Sequence, residues 1–170
     1  IRPGYWTNTD VWPPENVGTT TYYLNPEGLK TSAQPESILP IHSPLTTGLK
    51  SGDWCSFGMG PDQPVDQRSD DGQSLCFDTG HLENDVEVIG APTVQLNLST
   101  DCKKAHIITR LCDVAPDGTS LFVSYGVLNL NFRNGFDNSN PIKQGEIYQI
   151  SIQLDDCAHI FPKDHRIRIA

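Results

Sequence analysis

The sequence predicts an all-β domain, an antiparallel β-sandwich with jelly-roll topology. Strict alternation of apolar and polar residues is typical of strands with one buried face, and it covers residues 93–99, 128–133 and 149–154. Gly and Pro contribute 14 and 13 of the 170 residues and separate these stretches with turns. Since antiparallel strands with one apolar face need a second sheet to cover it, two packed sheets are expected.

Weaker strand patterns fill much of the remaining sequence, at residues 19–24, 86–89, 121–125 and 166–169. Turn residues lie between the strands, at Asp71-Gly72, Asp117-Gly118 and Asn134-Gly135.

The turn at Asp117-Gly118 predicts a tight hairpin between strands 107–114 and 121–130. Around its first strand, Ala105, Ile108 and Cys112 also fit one face of a helix. The β-branched run at 107–109 favours a strand instead.

Residues 26–72 differ from the rest, because they contain few strand patterns and many Pro, Gly, Ser and Asp residues. A segment of this length without secondary structure is unusual inside a compact domain. We expect it to be a functional loop or to pack on a structure outside this chain. Residues 1–170 as a whole are expected to form a single domain.

The net charge of −9 argues against a nucleic-acid partner, which requires a basic face, and against an anionic membrane surface. The 5 cysteines are odd in number and lack a C-x-x-C pair. This spacing does not favour a zinc site, and it predicts reduced thiols and a cytoplasmic location. We expect no cofactor.

Candidate catalytic and metal-binding residues are few. A nucleophile elbow requires Gly-x-Ser-x-Gly. The segments at Ser74 and Ser120 begin that pattern, but neither ends in glycine. No catalytic residue is therefore expected in this chain.

The 5 histidines show no spacing typical of metal ligands, and His106 is expected to be structural. The group His81, Glu83 and Asp85 could hold Ca²⁺, although a solvated turn is the favoured interpretation. No metal ligand is predicted. The glycosylation sequon at Asn97 lies inside a predicted strand and is interpreted as a chance match.

The tryptophans Trp6, Trp12 and Trp54 allow two interpretations. Exposed aromatic rings on a β-sandwich can stack on sugars, which would make the chain an independent carbohydrate-binding module. They can also anchor a core or a domain interface.

Short motifs along nearly the whole chain carry a resemblance to a known family. They are Trp12-Pro13-Pro14, Asp66-Gln67-Arg68, Leu75-Cys76-Phe77, residues 82–92, residues 109–118, Gly126-Val127-Leu128, Phe132-Arg133, residues 145–148 and residues 165–169. In this order they resemble the C-terminal domain of the X-Pro dipeptidyl-peptidase and cocaine-esterase-like serine hydrolases.

The resemblance implies a galactose-binding-like jelly roll that packs on the α/β-hydrolase domain of its own parent chain. The catalytic Ser, Asp and His would all lie in that other domain, which would cleave esters, amides or X-Pro peptides through an acyl-enzyme. It also implies that residues 52–60, with Trp54, Phe57 and Met59, shape the substrate pocket. Trp6 and Trp12 become candidates for the domain interface.

The family continues beyond both ends of this sequence, so the jelly roll is expected to be truncated at both ends. Residues 166–169 would then form a strand without its natural partner. An unpaired edge invites pairing with another chain, which predicts self-association.

Overall fold

The computed structural model describes residues 4–53, 55, 57 and 62–170, and it confirms the all-β prediction. The strands are β1 Tyr23–Asn25, β2 Gly28–Lys30, β3 Phe77–Asp78, β4 Val86–Gly90, β5 Thr93–Leu98, β6 His106–Val114, β7 Ser120–Asn129, β8 Tyr148–Gln153, β9 Cys157–Phe161 and β10 Arg166–Ile169. A single turn of helix, α1, spans Arg68–Asp71, and a 3-10 turn spans Leu130–Phe132. No helix in the described part of the chain is long and apolar enough to span a membrane.

The strand pairing is nested. Strand β3 pairs with β10, β4 with β9, β5 with β8 and β6 with β7, and every pair is antiparallel. This is the pairing of a jelly roll, in which one long hairpin is rolled into two layers. Strand β10 also pairs with β6, which produces a four-stranded sheet in the order β3-β10-β6-β7.

The apolar core lies between the four-stranded sheet and the β4–β9 and β5–β8 pairs. Its first part contains Leu29, Val94, Leu111, Leu154, Phe161 and Ile167. Its second part contains Leu130, Ile142, Ile150 and Ile152. In β8 the isoleucines are buried while Gln149, Ser151 and Gln153 are exposed, so the alternation in the sequence indicated the buried face correctly.

The hairpin predicted at Asp117-Gly118 is confirmed. Strands β6 and β7 pair from His106↔Asn129 to Val114↔Ser120. The turn is closed by the Ala115 N–H, which donates to Thr119 O at 2.9 Å. Gly118 has a φ of +87°, which suits glycine at this position of a hairpin loop.

The strand predicted over 128–133 ends earlier than expected. Strand β7 stops at Asn129, and Leu130–Phe132 form the 3-10 turn. The Asn129 side chain accepts a hydrogen bond from the Asn131 N–H at 3.1 Å. Local bonding of this kind competes with a strand ladder, which explains the early end.

The segment 26–72 is largely irregular, as predicted, but it includes β2 and α1. The described residues between these two elements form turns and bends without a strand or an α-helix. The strand expected over 19–24 begins only at Tyr23.

Residues 166–169 correct one expectation. They form a strand, β10, but that strand is paired on both sides and is not an edge. Arg168 faces Asp78 in β3 and Cys112 in β6. Strand β3 has only 2 residues, too few for a periodic pattern, so the sequence did not reveal the partner. The prediction of an unpaired edge here was wrong, and the self-association derived from it loses its basis.

Candidate domain-docking site

Two arginines lie on the outer face of the four-stranded sheet. Leu111 and Ile167 belong to the core, and successive side chains of a strand point to opposite faces. Arg110 and Arg168 therefore point away from the core. The segment around α1 covers them there, because Arg110 and Asp71 in α1 have side chains only 5% and 4% exposed.

Asp71 joins these two arginines. Arg168 Nη1 donates to Asp71 Oδ2 at 2.9 Å, and Arg110 Nη2 lies 3.0 Å from Asp71 Oδ1 as an ion pair. Arg168 also holds Asp78 in a bidentate pair, with Nε–Oδ1 at 2.6 Å and Nη2–Oδ2 at 2.7 Å. These hydrogen bonds to Asp78 raise the pKa of Arg168. Asp71 thus ties the irregular segment to β6 and β10, and Arg168 extends this connection to Asp78 in β3.

Gln67 is the second connection between the segment and the sheet. Its side chain is fully buried. Oε1 accepts from Arg110 Nη1 at 2.8 Å and from Ser51 Oγ at 3.3 Å. Nε2 donates to Lys50 O at 2.6 Å and to Val65 O at 2.7 Å. An amide side chain offers two donors and two acceptor positions, so every one of them is used.

The residues on either side of Gln67 fix its backbone. Asp66 Oδ1 accepts from the backbone N–H of Arg68 at 3.1 Å and of Ser120 at 3.2 Å. The Gln67 N–H donates to Ser120 O at 2.9 Å. Burial acts to raise the pKa of Asp66, but the hydrogen bonds from Arg68 and Ser120 outweigh it and lower that pKa.

Residues 50–53 and 62–65 form the closed base of what is called here the 50–65 loop. The Val65 N–H donates to Lys50 O at 3.0 Å, and the Asp53 N–H donates to Asp62 O at 2.9 Å. The two arms of the loop, residues 50–53 and 62–65, approach closely at Gly52. This glycine has a φ of +79°, and a Cβ built on it would lie 2.7 Å from Asp62 O. Asp70 Oδ2 completes the base by accepting from the Lys50 N–H at 2.9 Å.

Large apolar side chains are exposed in the irregular segment 26–72. They are Ile38, Ile41, Leu45, Leu49 and Phe57. The backbone between them is held in place, because Ser43 Oγ donates to Gln73 O at 2.7 Å and Thr47 Oγ1 donates to Gln73 Oε1 at 3.0 Å. Apolar side chains that stay exposed on an anchored backbone mark a surface suited to a partner.

The predicted pocket residues are described only in part. Phe57 is 90% exposed, and its N–H donates to Asp62 Oδ2 at 3.2 Å. Trp54 and Met59 lie outside the described residues, so their predicted role is not tested.

The predicted interface residues Trp6 and Trp12 both lie in residues 4–22, which contain no strand. Trp6 is fully exposed. Trp12 lines an open cleft of about 460 Å³ together with Ile89, Gly90, Asp156, Cys157 and Ala158.

A second buried polar cluster was missed by sequence reasoning. Asp113 in β6 is fully buried. His159 Nε2 in β9 lies 2.9 Å from its Oδ2, and His165 Nδ1 lies 2.7 Å from its Oδ1. Strand β9 pairs with β4 and not with the four-stranded sheet, so the cluster links the two layers. The only sequence signal was a carboxylate inside a strand that is otherwise mostly apolar.

The serines of the two incomplete nucleophile patterns, Ser74 and Ser120, are bonded or buried within the fold. Ser74 Oγ donates to Asp70 O at 2.8 Å and accepts from Arg110 Nη2 at 3.2 Å. Ser120 is fully buried. Ser74 is half-buried and bonded on both sides, and the Ser120 hydroxyl is closed off from solvent.

The candidate calcium group instead ties two turns together. His81 Nδ1 lies 2.7 Å from Asp164 O, and Asp85 Oδ1 accepts from the Lys163 N–H at 2.8 Å. Within the described ranges no group of three or more His, Cys, Asp or Glu side chains is placed to hold a metal ion. His106 is exposed at the start of β6.

All of the cysteines carry free thiols. Burial raises the pKa of the Cys112 thiol to about 12, so it stays protonated at neutral pH. Cys112 therefore acts as a small apolar residue of the sheet.

Comparison with known proteins identifies relatives over the whole described fold. Cocaine esterase from Rhodococcus sp. (strain MB1 Bresler) is 26% identical over an alignment of 178 positions that covers 96% of this chain and 31% of that protein. The structure of an aminopeptidase from the marine sediment archaeon Thaumarchaeota archaeon superposes with a TM-score of 0.78 at 22% identity, covering 97% of this chain and 30% of that one. A CocE/NonD family hydrolase from Staphylococcus aureus gives a TM-score of 0.70 at 16% identity, covering 98% and 31%.

The chain thus spans about a third of the length of these relatives. Residues 2–170 match the family model of the X-Pro dipeptidyl-peptidase C-terminal non-catalytic domain. This chain belongs to the X-Pro dipeptidyl-peptidase C-terminal non-catalytic domain family.

Proposed function

We propose that this chain is the accessory domain of a serine hydrolase, that it packs on the α/β-hydrolase domain of its parent chain, and that the 50–65 loop forms part of the wall of the parent's substrate pocket. The observation that carries this proposal is the set of exposed apolar side chains at Ile38, Ile41, Leu45, Leu49 and Phe57, on a backbone that Gln73 and Asp70 anchor. The parent would act on acyl esters, amides or X-Pro peptides.

The partner follows from the lengths of the relatives and from the chemistry of the segment. Cocaine esterase contains about twice as much sequence outside the matched region as inside it, which leaves room for a catalytic domain in the same chain. An exposed leucine or phenylalanine gains about 1.5–3 kcal/mol when it is fully buried. Covering Leu45, Leu49 and Phe57 by the hydrolase domain would therefore stabilise the contact between domains.

The docking proposal is tested by Leu45→Glu in the full-length parent. Leu45 is 104% exposed in this chain, so the substitution leaves the fold of the β-sandwich intact. At a domain interface the new carboxylate would lose its water and separate the two domains. We expect thermal unfolding to change from one cooperative transition to two, with the midpoint of the less stable transition lowered by several degrees.

The matched control is Ile147→Glu, an exposed apolar residue outside the segment, at 72%. It should leave the unfolding profile of the parent unchanged. An equal effect of both substitutions, or no effect of Leu45→Glu, would show that the segment 38–57 is not the docking surface.

The pocket role of the loop is tested by Phe57→Ala in the parent. A wall contact in an apolar pocket discriminates between substrates by about 1–3 kcal/mol. We expect kcat/KM for substrates with bulky acyl groups to fall roughly tenfold relative to substrates with small ones, as measured with a series of p-nitrophenyl esters. Equal changes for all acyl groups would contradict the pocket role. Trp54→Ala and Met59→Ala extend the same test to the two other predicted residues.

A further inference from the structure

The β6–β7 hairpin is apolar on both faces near its open end. Ile107 and Leu128 face each other and pack against the second part of the core. The next pair along the two strands is Ile108 and Val127, and each of these side chains is 54% exposed. Because successive residues of a strand point to opposite faces, this exposed pair lies on the outer face of the sheet, the face to which Arg110 also belongs.

The outer face of the hairpin is covered over only part of its length. At Arg110 the segment around α1 lies over the sheet, since both Gln67 Oε1 and Ser74 Oγ accept hydrogen bonds from the Arg110 guanidinium. Two residues along β6, the exposure of Ile108 shows that this cover has ended. A sheet face left to solvent normally carries polar residues, whereas strands covered on both faces are apolar on both. The Ile108–Val127 pair therefore has the composition of a covered face.

A short series of contacts connects this pair to the exposed residues of the irregular segment. The hydroxyl groups on either side of Leu45 both bond to Gln73. The next residue in the chain, Ser74, accepts from Arg110, which is on the same face of β6 as Ile108. The exposed side chains of the segment and the exposed pair of the sheet thus border the same covered strip.

We propose that the outer face of β6 and β7 at Ile108 and Val127 is a second contact surface for the α/β-hydrolase domain of the parent chain. This inference rests on the proposed docking of that domain on the irregular segment. The partner follows from continuity, because a domain that contacts Leu45 borders the strip of sheet beside the exposed pair. Burial of the two apolar side chains would add to the stability of the contact between domains.

Oxidative footprinting of the full-length parent tests whether the face is covered. Ile108 and Ile147 are the same residue type and are 54% and 72% exposed in this chain, so their rates of modification by hydroxyl radicals should be similar if neither is covered. We expect Ile108 to be modified severalfold more slowly than Ile147 in the parent. Similar rates for the two isoleucines would overturn the proposal.

The double variant Ile108→Thr with Val127→Thr tests whether the contact stabilises the parent. Threonine keeps the branch at Cβ that suits a strand, and a Thr–Thr pair is favourable between neighbouring strands. Beneath a docked domain its hydroxyl groups would be buried without partners. We expect the thermal unfolding midpoint of the parent to fall by several degrees, and the control Ile147→Thr to leave it unchanged.

The result for Leu45→Glu separates this inference from the proposed function. An unchanged midpoint in the double threonine variant, together with the expected effect of Leu45→Glu, would overturn the second surface and leave the docking proposal standing. No effect of either change would overturn both. A fall of equal size in Ile147→Thr would also overturn the second surface, because the effect would then not be specific to the outer face of the sheet.

Crosslinking identifies the partner on this face. His106 is exposed at the start of β6, two residues from Ile108 and on the same face. His106→Lys therefore places an amine at the rim and leaves the apolar pair intact. With a short amine-reactive crosslinker, we expect links that occur only in this variant to reach the hydrolase domain of the same chain. Links to a second copy or to another part of the parent would overturn the choice of partner, as would the absence of any new link.

Discussion

Replacement of Arg110 by methionine should lower the free energy of unfolding by about 3–5 kcal/mol, the range observed when one partner of a buried ion pair is removed. Methionine has a similar length and fills most of the space. The change therefore isolates the loss of the guanidinium, which bonds Gln67 and Ser74 and pairs with Asp71. The Asp71 carboxylate would remain buried with only Arg168 to compensate its charge.

Urea unfolding of the chain measures this effect, and Arg68→Met provides the matched control. Arg68 also pairs with an aspartate, Asp66, but its side chain is 59% exposed. An exposed ion pair contributes little because water screens it, so the control should keep the midpoint of the original chain. Equal midpoints for the two variants would show that the Arg110 network does not hold the segment to the sheet.

A double variant tests whether the buried charge causes the loss. Replacement of Asp71 by asparagine in the Arg110→Met background removes the uncompensated carboxylate and keeps the shape of the side chain. Residues in one network couple by about 0.5–3 kcal/mol, so the double variant should be more stable than the sum of the single changes predicts. Strict additivity would contradict a direct interaction between Arg110 and Asp71.

Local patterns predicted the strands whose two faces differ. Strand β8 alternates isoleucine with polar residues, and the Asp117-Gly118 turn determines the β6–β7 hairpin. Strand β3 was missed because 2 residues carry no period. It exists because Asp78 binds Arg168, a residue 90 positions away, and no local pattern reports such a contact.

The buried polar clusters could not be predicted for the same reason. Gln67, Asp70 and Asp71 stand in a polar, turn-rich segment, which is typical of a solvated loop, and yet all three are buried. Two of them, Gln67 and Asp71, contact Arg110, which is 43 residues from Gln67. Phe57 is exposed, whereas its role in the substrate pocket stays a prediction, as does the cytoplasmic location.

The motifs that carried the resemblance have a physical explanation in these clusters. Asp66-Gln67-Arg68 supplies Gln67, residues 109–118 supply Arg110 and Asp113, and residues 165–169 supply His165, Arg166 and Arg168. These motifs mark the polar contacts that hold the outer segment and the two layers together.

Asp113→Ala should destabilise the chain to about the same extent as Arg110→Met, because Asp113 links the two layers of the sandwich. With Asp113 ionised, its carboxylate only accepts hydrogen bonds, so His159 Nε2 and His165 Nδ1 would each donate one to it. A hydrogen bond to a charged group contributes about 1.5–3 kcal/mol. Removal of two such bonds should lower the free energy of unfolding by about 3–6 kcal/mol. The alanine would also leave a cavity beside His159, whose ring packs edge-on against Phe161 with the ring centroids 4.7 Å apart.

Asp113→Asn distinguishes the loss of charge from the loss of hydrogen bonds. The asparagine oxygen can accept from one histidine, while its amide group donates to the other histidine, provided that this ring changes tautomer. We therefore expect Asp113→Asn to lose only about 1–2 kcal/mol in urea unfolding, and ¹⁵N NMR of the ring nitrogens should show one histidine in the other tautomer. If the asparagine variant were as unstable as the alanine variant, the negative charge of Asp113, and not its two acceptor positions, would hold β6 to β9.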